Sequence, residues 1–354
     1  MTIENRINAF VKLGSFFKQF PEANRNEKLE ELNMQFYEPM QSLISNLYCQ
    51  NQWFTPEMLL FAIDGIARNL SAENIEKWLS QYPEIKDKKE AKKIAVIMAG
   101  NIPLVGFHDF LCVLVSGNSF IGKLSSKDSD LLKLIADVLI HINPEFEKHI
   151  YFEERFINNF DAVIATGSNN SARYFDYYFG KYPHIIRKNR SSVALLTGNE
   201  TTQDLTNLAD DIYLYFGLGC RNVSKIYIPE NFDLGILFKA SEKYRYFANH
   251  NKYANNYDYN KSVYLMDSIA FLDTEFSIFK ESENISSPIS VTYFERYKDI
   301  NAIVNKINLN IDSIQCIVSN FAINRAVSFG NAQYPYLWDY ADNEDTIKFL
   351  VNLK

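Results

Sequence analysis

The chain has 354 residues, 47% of them hydrophobic and 22% charged, with a formal net charge of -7. That balance belongs to a globular protein with a sizeable core, and the length suits roughly two domains. It excludes the basic stripe that nucleic-acid binding needs, and there is no apolar run near the roughly 18 residues of a membrane helix.

The first 85 residues predict helices throughout. Thr55-Pro56-Glu57 is a start signal: a capping hydroxyl, a proline in the first turn and an acid near the positive helix end. Leu59, Ile63, Ile66 and Leu70 follow at helical spacing and predict one buried stripe. Ser71 caps a further helix carrying Ile75, Trp78 and Leu79. The lysine-rich stretch 86–93 then predicts a solvated turn. Beyond it the pattern changes to short apolar runs at Ile94–Met98, Ser119–Leu124 and Ala162–Ala165, separated by helical segments at His108–Val115 and Ser129–Ile142. The alternation continues with a strand at Ser192–Leu196, a helix at Leu205–Phe216, a strand at Lys225–Ile228 and a helix at Phe232–Ala248. Continuous apolar strands alternating with helices predict parallel βαβ units. Asn249–Asn260, rich in Asn and Tyr, is expected to be a long loop.

Met1–Phe20 lacks the basic, apolar, small-residue order of a signal peptide. The four cysteines (Cys49, Cys112, Cys220, Cys316) form no CxxC pair. Neither a disulfide framework nor a zinc site is expected, and a reducing cytoplasm is the expected location.

Three short segments carry candidate chemistry. Ala99-Gly100-Asn101-Ile102-Pro103 closes a predicted strand, which puts Asn101 at the carboxyl edge of a parallel sheet, where ligands of open α/β folds collect. Its amide suits an oxyanion donor, or merely a side-chain turn. Thr166-Gly167-Ser168 closes another strand and opens a helix, as a phosphate site or an ordinary cap would. Phe216-Gly217-Leu218-Gly219-Cys220 sets a thiol beside two glycines, which favours an accessible nucleophile, with Arg221 adjacent to lower its pKa. Cys49, Cys112 and Cys316 lie in apolar patterns and are expected to be buried hydrophobes.

In this order and spacing the three segments resemble the aldehyde dehydrogenase superfamily. More closely, the chain is similar to the long-chain acyl-CoA reductases of bacterial bioluminescence fatty-acid reductase complexes. The similarity takes in Asn51–Tyr82, Gly117-Asn118-Ser119 and the tail from Phe329-Gly330-Asn331 through Trp338-Asp339-Tyr340 to Phe349. The resemblance implies an α/β fold: a Rossmann-type parallel-sheet cofactor domain with a helical N-terminal segment, plus a second α/β catalytic domain. The boundaries expected are 1–197, 198–330 and a tail of 331–354 that packs, closes the active site or oligomerises.

It also implies roles. Cys220 matches the nucleophile and Asn101, two residues before Pro103, the oxyanion donor. Lys123 matches the lysine that reaches the cofactor's ribose, and Thr166, Gly167 and Ser168 the turn near its pyrophosphate. Where that family commonly carries Pro-Ser-Glu after the lysine, this chain has Leu124-Ser125-Ser126. Losing the carboxylate removes repulsion against a 2′-phosphate, so NADPH is the expected cofactor, with NADH as the alternative. Aldehyde-oxidising relatives carry a glutamate whose position falls nearest Arg187 here, in a basic run that is either a solvated face or a phosphate contact. Without that base an acyl-Cys220 thioester is expected to await hydride rather than water. The implied reaction is reduction of a long-chain fatty acyl-CoA, or an acyl-carrier thioester, to the aldehyde. Implied partners are an acyl-donating protein and further copies of the chain. The competing readings are an enzyme oxidising free aldehydes, a non-catalytic acyl-binding subunit, and a thiol acyltransferase.

Overall fold

The structure, a computed structural model, describes residues 1–87, 90–154 and 157–353. It divides into two compact units, one of Met1–Lys188 with Tyr336–Lys354 and the other of Asn189–Pro335.

The first unit opens with helices α1 (Ile3–Lys18), α2 (Glu30–Gln50), α3 (Pro56–Asn69) and α4 (Ala72–Leu79). Thr55 caps α3 by accepting the Met58 N–H at 3.3 Å, and Ser71 caps α4 by accepting that of Asn74 at 3.2 Å. Leu59, Ile63 and Leu70 are buried as their spacing predicts, and Ile66 is half-buried. Part of the predicted lysine-rich turn, residues 88 and 89, lies outside the described residues.

A five-stranded parallel sheet follows: β1 (Lys93–Ile97), β2 (Ser119–Lys123), β3 (Ile150–Phe152), β4 (Ala162–Thr166) and β5 (His184–Arg187), in the order β3-β2-β1-β4-β5. The connecting helices are α5 (Phe107–Val115), α6 (Asp130–Ile142) and α7 (Asn169–Phe179). β1 is central, and Ile94, Ala95 and Val96 are wholly buried, which is why this strand reads as an unbroken apolar run.

The last segment returns to this unit and joins its core. Leu337, Tyr340, Ile347 and Leu350 are buried with the helical cluster. The Tyr340 hydroxyl accepts from Trp78 Nε1 at 2.7 Å and lies 2.8 Å from the Tyr82 hydroxyl, which donates to Asp345 at 2.9 Å.

The second unit is built on β6 (Ser191–Leu195), β7 (Val223–Pro229), β8 (Leu272–Asp273), β9 (Ile278–Glu281), β10 (Val291–Tyr297), β11 (Ile314–Val318) and β12 (Ala326–Val327). Their order is β12-β11-β6-β7-β10-β9-β8, parallel except for the β8–β9 pair. The unit begins at Asn189 rather than at 198, because β6 pairs with β7 and β11. Helices α8 (Thr202–Tyr213), α9 (Leu234–Ser241), α10 (Asn251–Met266) and α11 (Ile300–Leu309) belong to it.

Three predicted elements differ. The helix expected to reach Phe216 ends at Tyr213, because Tyr215 and Phe216 take the left-handed φ values of 53° and 57°. The helix expected over Phe232–Ala248 is α-helical only to Ser241 and continues as 3-10 turns to Asn249. The expected loop at Asn249–Asn260 is instead covered largely by α10. His250 caps that helix, accepting the Tyr253 N–H at 3.3 Å. Tyr253, Tyr257, Asn260 and Tyr264 recur at helical spacing and are all buried. Ring burial there outweighs the poor helix propensity of Asn and Tyr. Among the described residues no helix is long and apolar enough to cross a membrane.

Candidate active site

In the first unit the adjacent strands β2, β1 and β4 bring three loops to one carboxyl edge. The register pairs Ile97 with Lys123 and Ala165 with Ile97, and the Met98 N–H donates to the Lys123 carbonyl at 3.1 Å. Asn101, Lys123, Ser125, Ser126, Thr166, Gly167 and Ser168 therefore share that edge. Asn101, Ser126 and Ser168 are exposed, and Lys123, Ser125, Thr166 and Gly167 are half-buried. Gly100 lies directly against the Ser125 hydroxyl, so a side chain there would collide with it. Gly167 similarly leaves no room for a Cβ, which would sit 2.8 Å from Ser171 Cβ and 2.9 Å from the Phe175 ring. Ser168 caps α7 by accepting the Ser171 N–H at 3.2 Å. An ammonium, hydroxyls, backbone N–H groups and close-set glycines are a donor set that fits a dinucleotide phosphate at a sheet edge. Residues 123–126 present no carboxylate there.

Asp128 braces this edge. Its Oδ2 accepts the Leu104 N–H at 2.9 Å, while its Oδ1 is buried without a hydrogen-bond partner. Burial pushes its pKa from 3.8 up to about 6, against the opposing pull of the Leu104 N–H. The folded chain therefore keeps a proton that the unfolded chain has lost. This contribution is full below about pH 4 and is lost as pH rises through about 6, amounting to about 3 kcal/mol at most. Asp128→Asn keeps an acceptor for Leu104 and does not titrate. Urea unfolding should find it level with wild type near pH 4 and more stable by about 1–3 kcal/mol near pH 8. An unchanged difference across that window would refute the assignment.

In the second unit Cys220 is exposed on the turn between α8 and β7. The turn is held unusually firmly. Tyr215, Phe216 and Gly217 all have positive φ, of 53°, 57° and 74°. For the two aromatic residues that conformation costs roughly 1–2 kcal/mol each and requires support. Asn222, 3% exposed, gives it. Its Oδ1 accepts the Gly219 N–H at 2.8 Å, and its Nδ2 donates to the carbonyls of Asp211 (3.2 Å), Ile212 (3.2 Å) and Leu214 (2.8 Å). One side chain thus satisfies the open end of α8 and grips the residue before the cysteine. The Cys220 carbonyl accepts from Ser192 Oγ at 2.9 Å.

Beside the turn, the Asp211 carboxylate accepts the N–H groups of Gly330 and Ala332 at 2.6 and 2.9 Å. Arg221 Nε donates to the Ala332 carbonyl, and Nη2 lies 3.8 Å from Cys316 Sγ. Cys112 and Cys316 are buried, whereas Cys49, expected to be buried, is exposed on the outer face of α2.

Arg187 is neither a solvated cation nor a phosphate contact. It is 4% exposed, and Nη1 pairs with Asp109 Oδ2 at 2.6 Å while Nη2 donates to Thr346 Oγ1 at 2.9 Å. Asn222, Asp128 and Asp109 escape a sequence reading because their partners are mostly backbone groups or distant elements. The only local signal is an asparagine two residues past a glycine-flanked cysteine.

A family model described as Acyl-CoA reductase (LuxC) matches residues 6–234. The chain is similar to the long-chain acyl-protein thioester reductase of Photorhabdus laumondii subsp. laumondii, with 23% identity over 268 residues, 68% of this chain and 54% of that protein. It is similar also to the long-chain acyl-protein thioester reductase of Aliivibrio fischeri, with 22% identity over 201 residues, 52% of this chain and 42% of that protein. The chain thus spans about half the length of the curated relatives it matches. Among solved structures it resembles aldehyde dehydrogenase 21 of Physcomitrella patens in complex with succinate, with a TM-score of 0.61, 11% identity and coverage of 99% of this chain and 84% of that one. It also resembles the NAD+ complex of an aldehyde dehydrogenase from Bacillus cereus, with a TM-score of 0.57, 11% identity and coverage of 90% and 72%. At such identities the likeness is one of fold, and the fold is that of the aldehyde dehydrogenases: a helical N-terminus, a parallel sheet and a second sheet domain.

Proposed function

This chain belongs to the acyl-CoA reductase (LuxC) family, and from that premise we propose that it reduces a long-chain fatty acyl thioester to the aldehyde, with Cys220 as nucleophile and NADPH as reductant. The observation that carries the reading is the exposed Cys220 on a turn braced by Asn222, within a chain that has the aldehyde dehydrogenase fold.

The Cys220 thiolate attacks the thioester carbonyl, one C–S bond forms, and the donor thiolate leaves. The amide of Asn101 donates to the oxyanion, a contribution of about 3 kcal/mol. Exchange of one thiol for another is nearly balanced in energy, so the acyl group rests on Cys220. When bound, the nicotinamide cofactor supplies the hydride that turns this thioester into a thiohemiacetal, whose collapse with a proton releases aldehyde and restores the thiol. Lys123, Ser125, Ser126, Thr166, Gly167 and Ser168 hold the cofactor. Lys123, with no carboxylate at Ser126, favours a 2′-phosphate and therefore NADPH over NADH. Arg187, buried and paired, leaves that position without a base to activate water, which favours reduction over acid formation. The names of the relatives support an acyl-protein thioester as donor beside acyl-CoA.

The test is NADPH consumption by the purified chain given tetradecanoyl-CoA, with the aldehyde trapped, beside Cys220→Ala. Aldehyde formation that falls by at least ~1,000-fold in the variant is expected. A folded wild type that forms no aldehyde from either an acyl-CoA or an acyl-protein thioester would overturn the proposal, and acid formed from free aldehyde would replace it with the oxidative reading.

A further inference from the structure

At the opposite, amino-terminal edge of the five-stranded sheet lies a cleft of about 450 Å³. It opens beside Ala91 and Gly117-Asn118, which precede β1 and β2, and beside the first turn of α1. None of the residues assigned to the thioester chemistry lines it.

Arg6 reaches this cleft from α1 and is 7% exposed. Its Nη1 lies against Gly117, whose lack of a side chain makes the space, since a Cβ there would collide with it. Nε is buried with no hydrogen-bond partner, and among the described residues no carboxylate forms an ion pair with the group. Burial accordingly pulls its pKa down, against the upward pull of Glu4. A buried guanidinium without a counter-ion is costly, and charges so placed are ordinarily paired.

The surroundings supply what an anion with an apolar body would need. Lys86 stands on the rim, and the first turn of the 16-residue helix α1 directs its N–H groups toward the same end. Met1 and Ile3, both half-buried, form the accessible apolar wall, while Ile85, Leu114 and Phe146 border the cleft from within the packed core. Glu4 and Glu90 also border the cleft, which disfavours a dianion. His149 lines it too; burial lowers its pKa, and its Nδ1 is 2.9 Å from Ser119 Oγ, so it adds no fixed charge.

We propose that this cleft is a binding site for a small organic carboxylate, whose carboxylate pairs with Arg6 and whose short apolar body lies along Met1 and Ile3. The planar fork of the guanidinium matches a carboxylate in two parallel hydrogen bonds, and the cleft volume lies within the range of ordinary small-molecule sites.

Isothermal titration of the full chain with sodium octanoate, sodium butanoate and inorganic phosphate at fixed ionic strength tests this, with melting temperatures followed in parallel. Octanoate should bind saturably, one per chain at this site, and raise the melting temperature. Arg6→Gln should weaken that binding by about 10- to 100-fold, as expected when a charge-assisted pair is lost. The ligand-free variant should melt no lower than wild type, because it no longer buries an unpaired charge. Lys86→Gln, at an exposed position that does not threaten folding, should weaken binding by about 2- to 5-fold. Octanoate binding that both variants leave unchanged would overturn the proposal, as would phosphate binding without any carboxylate binding, or the absence of saturable binding by every probe. None of these readouts depends on acyl reduction.

Discussion

Arg187→Met is expected to lower the unfolding free energy of the protein by about 3–5 kcal/mol, the largest stability loss of any single substitution considered. The reason is the partner left behind. Asp109 sits on α5 with its side chain 7% exposed, and its Oδ2 is held by Arg187 alone at 2.6 Å while its Oδ1 has no hydrogen-bond partner. Removing the guanidinium strands that carboxylate in the core. It also releases Thr346, at the start of the C-terminal helix Thr346–Val351, from its 2.9 Å contact. For Arg187 itself, burial acts to lower the pKa, but the charge and hydrogen bond of Asp109 outweigh it and the net direction is upward. The guanidinium therefore stays charged throughout the accessible pH range.

The double variant Arg187→Met with Asp109→Leu replaces both charges by apolar groups and should recover most of the loss, since a buried ion pair contributes little beyond its own desolvation. Urea unfolding of the two single variants and the double closes the cycle. A double variant whose loss equals the sum of the singles would show that the two groups do not act as a pair. The same contact has a chemical consequence. Under the proposed function, the residue taken to stand nearest the hydrolytic glutamate of aldehyde-oxidising enzymes is one that holds β5, α5 and the C-terminal helix together.

What could be read in advance follows how local each signal is. The α3 start at Thr55-Pro56, the buried strands β1, β2 and β4, and the loops carrying Asn101 and Thr166 all rest on runs of a few adjacent residues, and the structure bears those elements out. The α10 helix was hidden because its buried stripe is made of Tyr253, Tyr257 and Tyr264 with Asn260, residues whose polar atoms mask the apolar period. The arrest of α8 was hidden because left-handed backbone at Tyr215 and Phe216 goes against what aromatic residues ordinarily adopt. Nothing adjacent in sequence reports it; the cause is Asn222, further along the chain. Likewise Arg187 in a basic run looks solvated, and only the return of the tail with Thr346 and the placing of α5 with Asp109 bury it. The exposed thiol of Gly219-Cys220 is legible because its signal is adjacent, and its support by Asn222 is not, because that comes from a distance.

That distant support makes the second large effect. Asn222→Ala should slow transfer of an acyl group from tetradecanoyl-CoA to Cys220 by about 100-fold, while alkylation of the same thiol by iodoacetamide stays within about threefold of wild type. The two reactions ask different things of the sulfur. Alkylation by a small reagent needs only an accessible thiol, and Cys220 is already exposed. Acyl transfer needs the sulfur held on line with a carbonyl whose oxyanion is being stabilised, so misplacement by about 1 Å is enough to lose two orders of magnitude. Asn222 sets that position by tying the Gly219 N–H to the carbonyls of Asp211, Ile212 and Leu214 across two strained residues. Without it the Gly219 N–H and three carbonyls lose their partner, at a cost of about 1–3 kcal/mol in stability. Cys49, exposed on α2 in the other unit, provides an internal standard, because its alkylation in the same sample should not change. Peptide mass spectrometry reads both cysteines at once, and single-turnover acylation gives the other rate. If both Cys220 rates fall together while Cys49 is constant, the variant has buried or blocked the thiol rather than misaligned it. If neither rate changes, the turn holds its shape without Asn222, and the left-handed stretch at Tyr215–Phe216 must be stabilised instead by the ring packing of Phe216 on Phe247 and His250, at 4.4 Å each.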